Sequence, residues 1–337
     1  MRKTKASWAK PASVRGITST MRDRARYHSR YAWVGFKRAV GMRITSDNRH
    51  MCERIVRGVR SGRITSGIVL AVEIRRDGFG SQVLSRLSVE AAARDLGLAY
   101  AHRPFQVIAH VEGDPAQWVA RCESAFALGE GRQRLSDFKL PMIDLTTFAT
   151  DRSLWRRPHI VTMNNMHIHC DRNPETYRRV IALSGSAPFT RDGPIRIAAH
   201  VRRGDVSTRR VTHRFTSNAT VLSTLERVVA EAEKSGRTCD VTIYSNGDPS
   251  EFAEFADLGY HVDVTSGALE VFDHLRSADV LLTAKSTFSY VAALYTRGIV
   301  LYEPFARRPM ASWLRRAKDG SFASDRLAGL LRLRETA

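Results

Sequence analysis

The chain is short of the features that announce a compartment or a scaffold. Its 337 residues include four cysteines, Cys52, Cys122, Cys170 and Cys239, scattered with no CxxC spacing. That pattern argues against a disulfide framework or a zinc ribbon and for a reduced, cytoplasmic setting. No apolar run approaches the roughly 20 residues that a membrane span needs. The N-terminus is basic but has no apolar segment behind it, so a secretory signal is not expected. There is no HExxH and no DxD arrangement. Carboxylates are scarce in one place above all: residues 1–65 carry 17 Lys and Arg against three Asp and Glu, a net +14, while the remainder carries only +5 of the total +19. The body is therefore mildly basic and the head strongly so.

What is there reads as a two-domain α/β protein, since the length exceeds one ordinary core and 43% of the residues are hydrophobic. Residues 1–66 mix Arg, Ser, Gly and Thr with isolated aromatics and are read as a basic extension, with Tyr31–Val40 as a short amphipathic helix or part of a disordered tail. Such a segment could touch an anionic membrane surface; nothing in it has the spacing of a DNA-reading motif. Residues 67–185 are read as the first folded domain. Ile68–Ile74 is a buried strand, Arg75–Gln82 a Gly-rich turn, Val83–Leu96 a helix, Leu98–Phe105 a second strand and Trp118–Gly129 a helix. Phe138–Thr150 looks irregular. Ile160–Cys170 looks like a strand, which would put His167 and His169 on one face; two ligands without a remote partner do not make a metal site. Glu175–Leu183 reads as a helix, and the Ser/Gly/Pro-rich loop 184–194 as the domain boundary.

Residues 186–337 alternate strand and helix more cleanly, which predicts a parallel, doubly wound sheet. The strands expected are Ile195–His200, Asp240–Ser245, Tyr260–Val264, Val280–Thr283 and Ile299–Tyr302, the last of the chain. The helices are Thr220–Lys234, Ser250–Leu258, Leu269–Ser277 and Tyr290–Thr296. The first strand ends abruptly in His200, Arg202, Arg203, Gly204 and Asp205. Ligands of open α/β sheets bind outside the carboxyl ends of strands, and paired guanidinium forks suit a diphosphate. A surface ion pair would use the same residues. At Ser286–Ser289 hydroxyls sit where a strand hands over to a helix; one would serve as an N-cap, and the free N–H groups there also suit phosphate.

Four segments then acquire a common meaning. His200–Val206 (HVRRGDV) resembles the HxRRxD motif of the superfamily of α1,2- and α1,6-fucosyltransferases and protein O-fucosyltransferases. Asp77–Gln82 (DGFGSQ) is similar to that superfamily's Gly-rich turn, Thr242–Gly247 (TIYSNG) to its second motif, and Ala278–Tyr295 (ADVLLTAKSTFSYVAALY) to its third, in the same order over about residues 68–305. The resemblance implies a GT-B-like fold of two Rossmann-like domains facing a cleft. It also implies metal-independent, inverting transfer, with GDP-fucose as donor substrate, no cofactor, and a glycan or lipid-linked sugar as acceptor. By the same carry-over Arg203 would stabilise the leaving diphosphate and Asp205 would hold Arg203, these two being the catalytic pair. Arg202, His200 (toward the base), Asn246, Ser286, Thr287, Phe288 and Ser289 would bind the donor. Asp273, with Glu270 as the alternative, would take the ring N–H groups of the base. Gly78, Gly80 and Gln82 would approach from the other domain.

The chain departs from the superfamily in places: Ser81 for Asn, Phe79 for Leu, and Lys285 where α1,2-enzymes carry Asn. Residues 100–171 match no acceptor region. The proton acceptor is left among Glu73, Glu112, Asp114 and Glu123. A non-catalytic nucleotide-sugar-binding protein of the same fold would show the same motifs.

Overall fold

Two all-parallel sheets organise the chain. The computed structural model describes residues 47–65, 67–181 and 193–336. The segment Tyr31–Val40, the rest of residues 1–46 and most of the 184–194 loop lie outside the described residues. In the first lobe β1 (Ile68–Val72), β2 (Ala99–Ala101), β3 (Met142–Asp144) and β4 (His159–Met163) form a sheet of order β2-β1-β4-β3. In the second, β5 (Ile195–His200), β6 (Cys239–Tyr244), β7 (His261–Asp263), β8 (Val280–Leu282), β9 (Ile299–Tyr302) and β10 (Leu314–Arg315) form the order β10-β9-β8-β5-β6-β7. Every residue of β1, β4, β8 and β9 is buried. These are the near-continuous apolar runs that a parallel sheet covered on both faces requires. The α/β class with two parallel sheets is as the sequence predicts.

Several boundaries differ from the sequence reading, each for a local reason. The first lobe begins before Gly67. Helix α1 (Asp47–Arg60) lays Cys52, Ile55 and Val56 into a core with Ile68, Val72 and Trp155. Its apolar stripe at helical spacing was masked by the arginines between. Phe138–Thr150 is not irregular: β3 pairs with Ile160–Thr162, and Asp144 then caps the short helix Leu145–Thr150 by accepting from Thr147 N at 3.0 Å. The segment Ile160–Cys170 stops being a strand at Met163. Asn165 Oδ1 accepts from His167 N at 3.3 Å, Met166 N donates to Ser88 Oγ at 2.9 Å, and His167–Cys170 closes a helical turn. The shared strand face proposed for His167 and His169 therefore does not exist. His167 Nδ1 meets the Tyr177 hydroxyl at 3.4 Å, and His169 pairs with Asp95 at 3.2 Å. Pro174–Arg179 is a 3-10 turn, where a helix from Glu175 was expected. Beyond β9 come the two-residue β10 and helix Ser324–Thr336, whose Leu327 and Leu331 are buried.

The lobes share one core. Helix α2 (Phe79–Asp95) rises from the end of β1, and its Phe79, Leu84 and Leu87 pack in one cluster with Trp118 and Phe126. That cluster continues into Phe272, Tyr290, Tyr295 and Trp313 of the second lobe. Edge-on rings carry the contact: Phe126 to Phe272 at 4.6 Å between centroids, Phe79 to Phe288 at 5.4 Å, Phe126 to Tyr295 at 5.7 Å. Pairs of this geometry contribute about 0.5–1.5 kcal/mol each beyond area burial. Met51–Ala337 accordingly form one compact unit.

Backbone approaches backbone across that seam at Gly80. A Cβ there would lie 2.9 Å from Phe288 Cα, whereas at Gly78 the nearest atom is 3.9 Å away. Gly80→Ala should therefore cost about 1–3 kcal/mol by overpacking against backbone, and Gly78→Ala much less. Urea unfolding of both variants checks this; equal midpoints would count against it.

Candidate functional site at the strand ends

Four motifs that are distant in sequence meet at one edge. Because β5 lies between β6 and β8, the loops that follow these strands are neighbours: Ala199 is in register with Leu282 on one side and with Ile243 on the other. Gly204 has φ +70°, and a Cβ there would lie 2.9 Å from Asn246 Nδ2. A Cβ on Gly247 would lie 2.7 Å from Arg203 Cβ. The first and second motifs are thus in contact. The third, which opens helix α7 (Thr287–Tyr295), touches the Gly-rich turn through Gly80 and Phe288.

Within this edge the two arginines have different surroundings. Arg203 is 3% exposed. It donates to the carbonyl of Arg202 at 2.9 Å and to Asn218 Oδ1, and its guanidinium lies 4.5 Å from the Phe215 ring centre. Burial lowers its pKa, opposed by Glu251 and Glu254. Arg202 stands further out and makes a two-pronged pair with Asp205, Nε at 3.1 Å and a terminal nitrogen at 2.7 Å. That hydrogen bond is the main reason the Asp205 carboxyl lies below its ordinary range. The expectation that Asp205 holds Arg203 is therefore corrected: Asp205 holds Arg202, and Asn218 with Phe215 holds Arg203. Asn218 opens helix Asn218–Lys234, and its own amide donates to Glu251 O at 2.6 Å and Glu254 Oε1 at 3.0 Å, so one side chain ties three segments.

The other sequence-read residues divide between site and scaffold. His200 ends β5 with its ring 5.2 Å from that of Phe288 and its Nδ1 buried without a partner. Burial, with the charge of Arg202 adding, pushes its pKa down to about 3. Ser286 caps α7, its Oγ accepting from Phe288 N at 3.2 Å. Thr287 is half-buried beside it. Ser289 turns inward, accepting from Ala284 N at 3.1 Å, and is fully buried. Gln82, expected at the cleft, is 1% exposed and ties the chain to itself, its amide donating to Asp77 O at 2.8 Å and Val107 O at 2.7 Å. Gly78 caps α2. Asp273 points outward to Arg276 at 2.7 Å, whereas Glu270 is close enough to add to the upward shift that burial gives the Tyr244 phenol at the end of β6.

The sequence reading missed the polar network behind this edge. Lys285 donates to Phe215 O at 2.9 Å and pairs with Glu303 at 3.2 Å. Thr216 donates to the same carboxylate at 2.5 Å, and buried Arg316 binds its other oxygen. Lys285 was marked only as a departure; Glu303, one residue past β9, carried no spacing signal. A second polar group lies at the end of β1, where Arg75 binds Asp77 (Nε to Oδ1 3.1 Å) and reaches Asn164 at 3.3 Å. Glu73 bonds Asn164, and its carboxyl is raised, chiefly by burial, against the pull of Arg75. Among the described residues no cluster of three or more His, Cys, Asp or Glu is placed to hold a metal, and no helix is long and apolar enough to cross a membrane.

No protein-family model and no curated protein matches the chain. Among solved structures it is similar to NodZ alpha-1,6-fucosyltransferase co-crystallized with GDP, at 13% identity and a TM-score of 0.42 over 77% of this chain and 98% of that one. It is also similar to fucosyltransferase NodZ from Bradyrhizobium, at 14% identity and a TM-score of 0.39 over 69% and 94%. A NodZ structure soaked with GDP-fucose matches at 13% and 0.35, over 69% and 93%.

His200, half-buried with its Nδ1 out of water, gives a pH dependence of definite sign. Its folded pKa lies below the unfolded value of about 6.5, so the unfolded chain binds the proton first and stability falls as pH drops from about 6.5 toward 3. The slope is at most about 1.4 kcal/mol per pH unit for one proton. Urea midpoints at pH 7 and pH 5 should fall further apart in the wild type than in His200→Gln; identical spacing would refute it.

Proposed function

We propose that this chain is an inverting glycosyltransferase that takes its sugar from a nucleoside diphosphate donor, GDP-fucose being the best candidate. The observation that carries the reading is the convergence of the four motifs on one edge, where β5, β6 and β8 end beside the Gly-rich turn of the other lobe. In this reading the acceptor hydroxyl loses its proton and attacks the anomeric carbon, while the bond from that carbon to the diphosphate oxygen breaks. Negative charge then grows on the departing diphosphate. Arg202 is the guanidinium outside the loop, so it meets that charge, and Asp205 keeps it extended. Arg203 is a positioning residue that fixes the loop from beneath. The N-terminus of α7 adds backbone donors and its dipole.

Of the four carboxylates left open by the sequence, three have structural duties. Asp114 caps helix Pro115–Phe126, Glu123 is bound by His102 and Phe105 N, and Glu112 accepts from Ala268 N at 2.7 Å. Glu73 follows directly on β1, on the edge that carries the Gly-rich turn, and its raised pKa makes it the better proton acceptor.

Calorimetry tests the donor reading. GDP should bind the wild type, and Arg202→Ala should weaken it about 10- to 100-fold, as for a charged hydrogen-bond pair, with a smaller loss for GMP. Absence of GDP binding by the wild type would end the proposal. Glu73→Gln should leave GDP affinity intact and lower turnover of GDP-fucose, to water or over a panel of sugar acceptors, on the order of 10²- to 10⁴-fold. Binding with no turnover by the wild type would make the chain a nucleotide-sugar-binding protein instead.

A further inference from the structure

A second charged feature lies away from the motifs. Helix α1 ends in Arg57 and Arg60, and the turn after it carries Arg63. These line a groove of about 630 Å³ together with Arg54, Arg152 and Arg172. No carboxylate and no lysine lines it. The negative end of α1 accounts for Arg57 and Arg60. It does not account for arginines brought to the same groove from the Arg152–Arg156 turn and from the turn after Cys170.

The groove is also built. Its floor is Trp155, 5% exposed, whose indole nitrogen donates to Phe148 O at 2.8 Å. Arg152 lies over that ring at 5.8 Å. Glu53, beside the groove, accepts from Arg172 at 3.2 Å, and its backbone carbonyl accepts from Arg57 at 3.3 Å. Glu53 counters Arg172, but six guanidiniums gathered around one groove still repel each other unless an anion joins them. Forks of this kind donate in pairs to phosphate oxygens, and several of them around one groove match an anion that carries several phosphate groups. Trp155 offers no open face for a base to stack on. None of the exposed large apolar side chains lines the groove, so an occupant is held by charge and not by insertion.

We infer that this groove binds a polyvalent, phosphate-bearing anion, either free or as a lipid headgroup. Nothing in this depends on the transferase reading.

Inorganic triphosphate titrated calorimetrically into the full chain at physiological ionic strength should bind saturably. Arg57→Gln combined with Arg60→Gln, and separately Arg152→Gln combined with Arg172→Gln, should each weaken it tenfold or more while circular dichroism shows the fold retained. Lack of saturable binding overturns the inference, and so does wild-type affinity in both variants, which would place the binding elsewhere. Sedimentation with phosphatidylcholine vesicles, with and without phosphatidylglycerol, separates the sources. Pelleting that needs the anionic lipid and is reversed by triphosphate identifies a headgroup, and triphosphate binding without pelleting identifies a free anion. A 20-base-pair DNA duplex bound in preference to triphosphate, and lost in the same variants, would replace the inference by a nucleic-acid surface.

Discussion

The close approach of two helix starts, at Gly80 and Phe288, is the constraint from which the site follows. Each helix begins at the carboxyl end of a parallel strand, β1 in one lobe and β8 in the other. Holding the two beginnings in backbone contact brings the functional edges of both sheets to the same place. Any side chain at Gly80 would push them apart. The glycine in the Gly-rich turn is thereby explained by lobe-to-lobe packing, which differs from the approach to a bound donor that the sequence motif alone implies.

The second organising fact is the division of labour between adjacent arginines. A polar loop over a sheet edge collapses unless something supports it from below. Arg203 does this, inserted between Phe215 and the Asn218 amide, with its positive charge balanced by Glu251 and Glu254 nearby. Arg202 is then free to stand up, braced by Asp205. Lys285, Glu303, Thr216 and Arg316 play a similar part under the neighbouring loop. Both platforms satisfy buried charge with charge and hydrogen bonds, as the cost of an unpaired buried ion demands.

Much of this was legible from sequence wherever burial leaves a long signature. Apolar runs gave β1, β8 and β9, the alternation of Ile195 and Ile197 gave β5, and the alternation of strands with helices gave the parallel class. Two of the four edge strands were not legible: β3 and β10 have three and two residues, while β2 and β7, no longer than β3, were read as parts of longer strands at Leu98–Phe105 and Tyr260–Val264. Helix α1 was hidden by composition, since Arg residues between Cys52, Ile55 and Val56 made an amphipathic helix look like a basic tail. At the site, motif spacing brought the right segments together but could not say which way each side chain turns. That depends on Gly204 at φ +70° and on Asn218, 15 residues from Arg203, and neither is encoded in the spacing of the motif itself.

The shared aromatic core has a consequence for how this chain can be divided. A border between residues 185 and 186 separates the two sheets neatly on paper. Cutting there would strip the cover from Phe79, Trp118 and Phe126 on one piece and from Phe272, Tyr290 and Trp313 on the other. Each fragment would keep the core on the other face of its sheet, around Leu225 and Ile243 in one and Ile55 and Trp155 in the other, but would offer the sticky face of half a core where the two now meet. A shuffled or truncated version would have to supply a cover for that face.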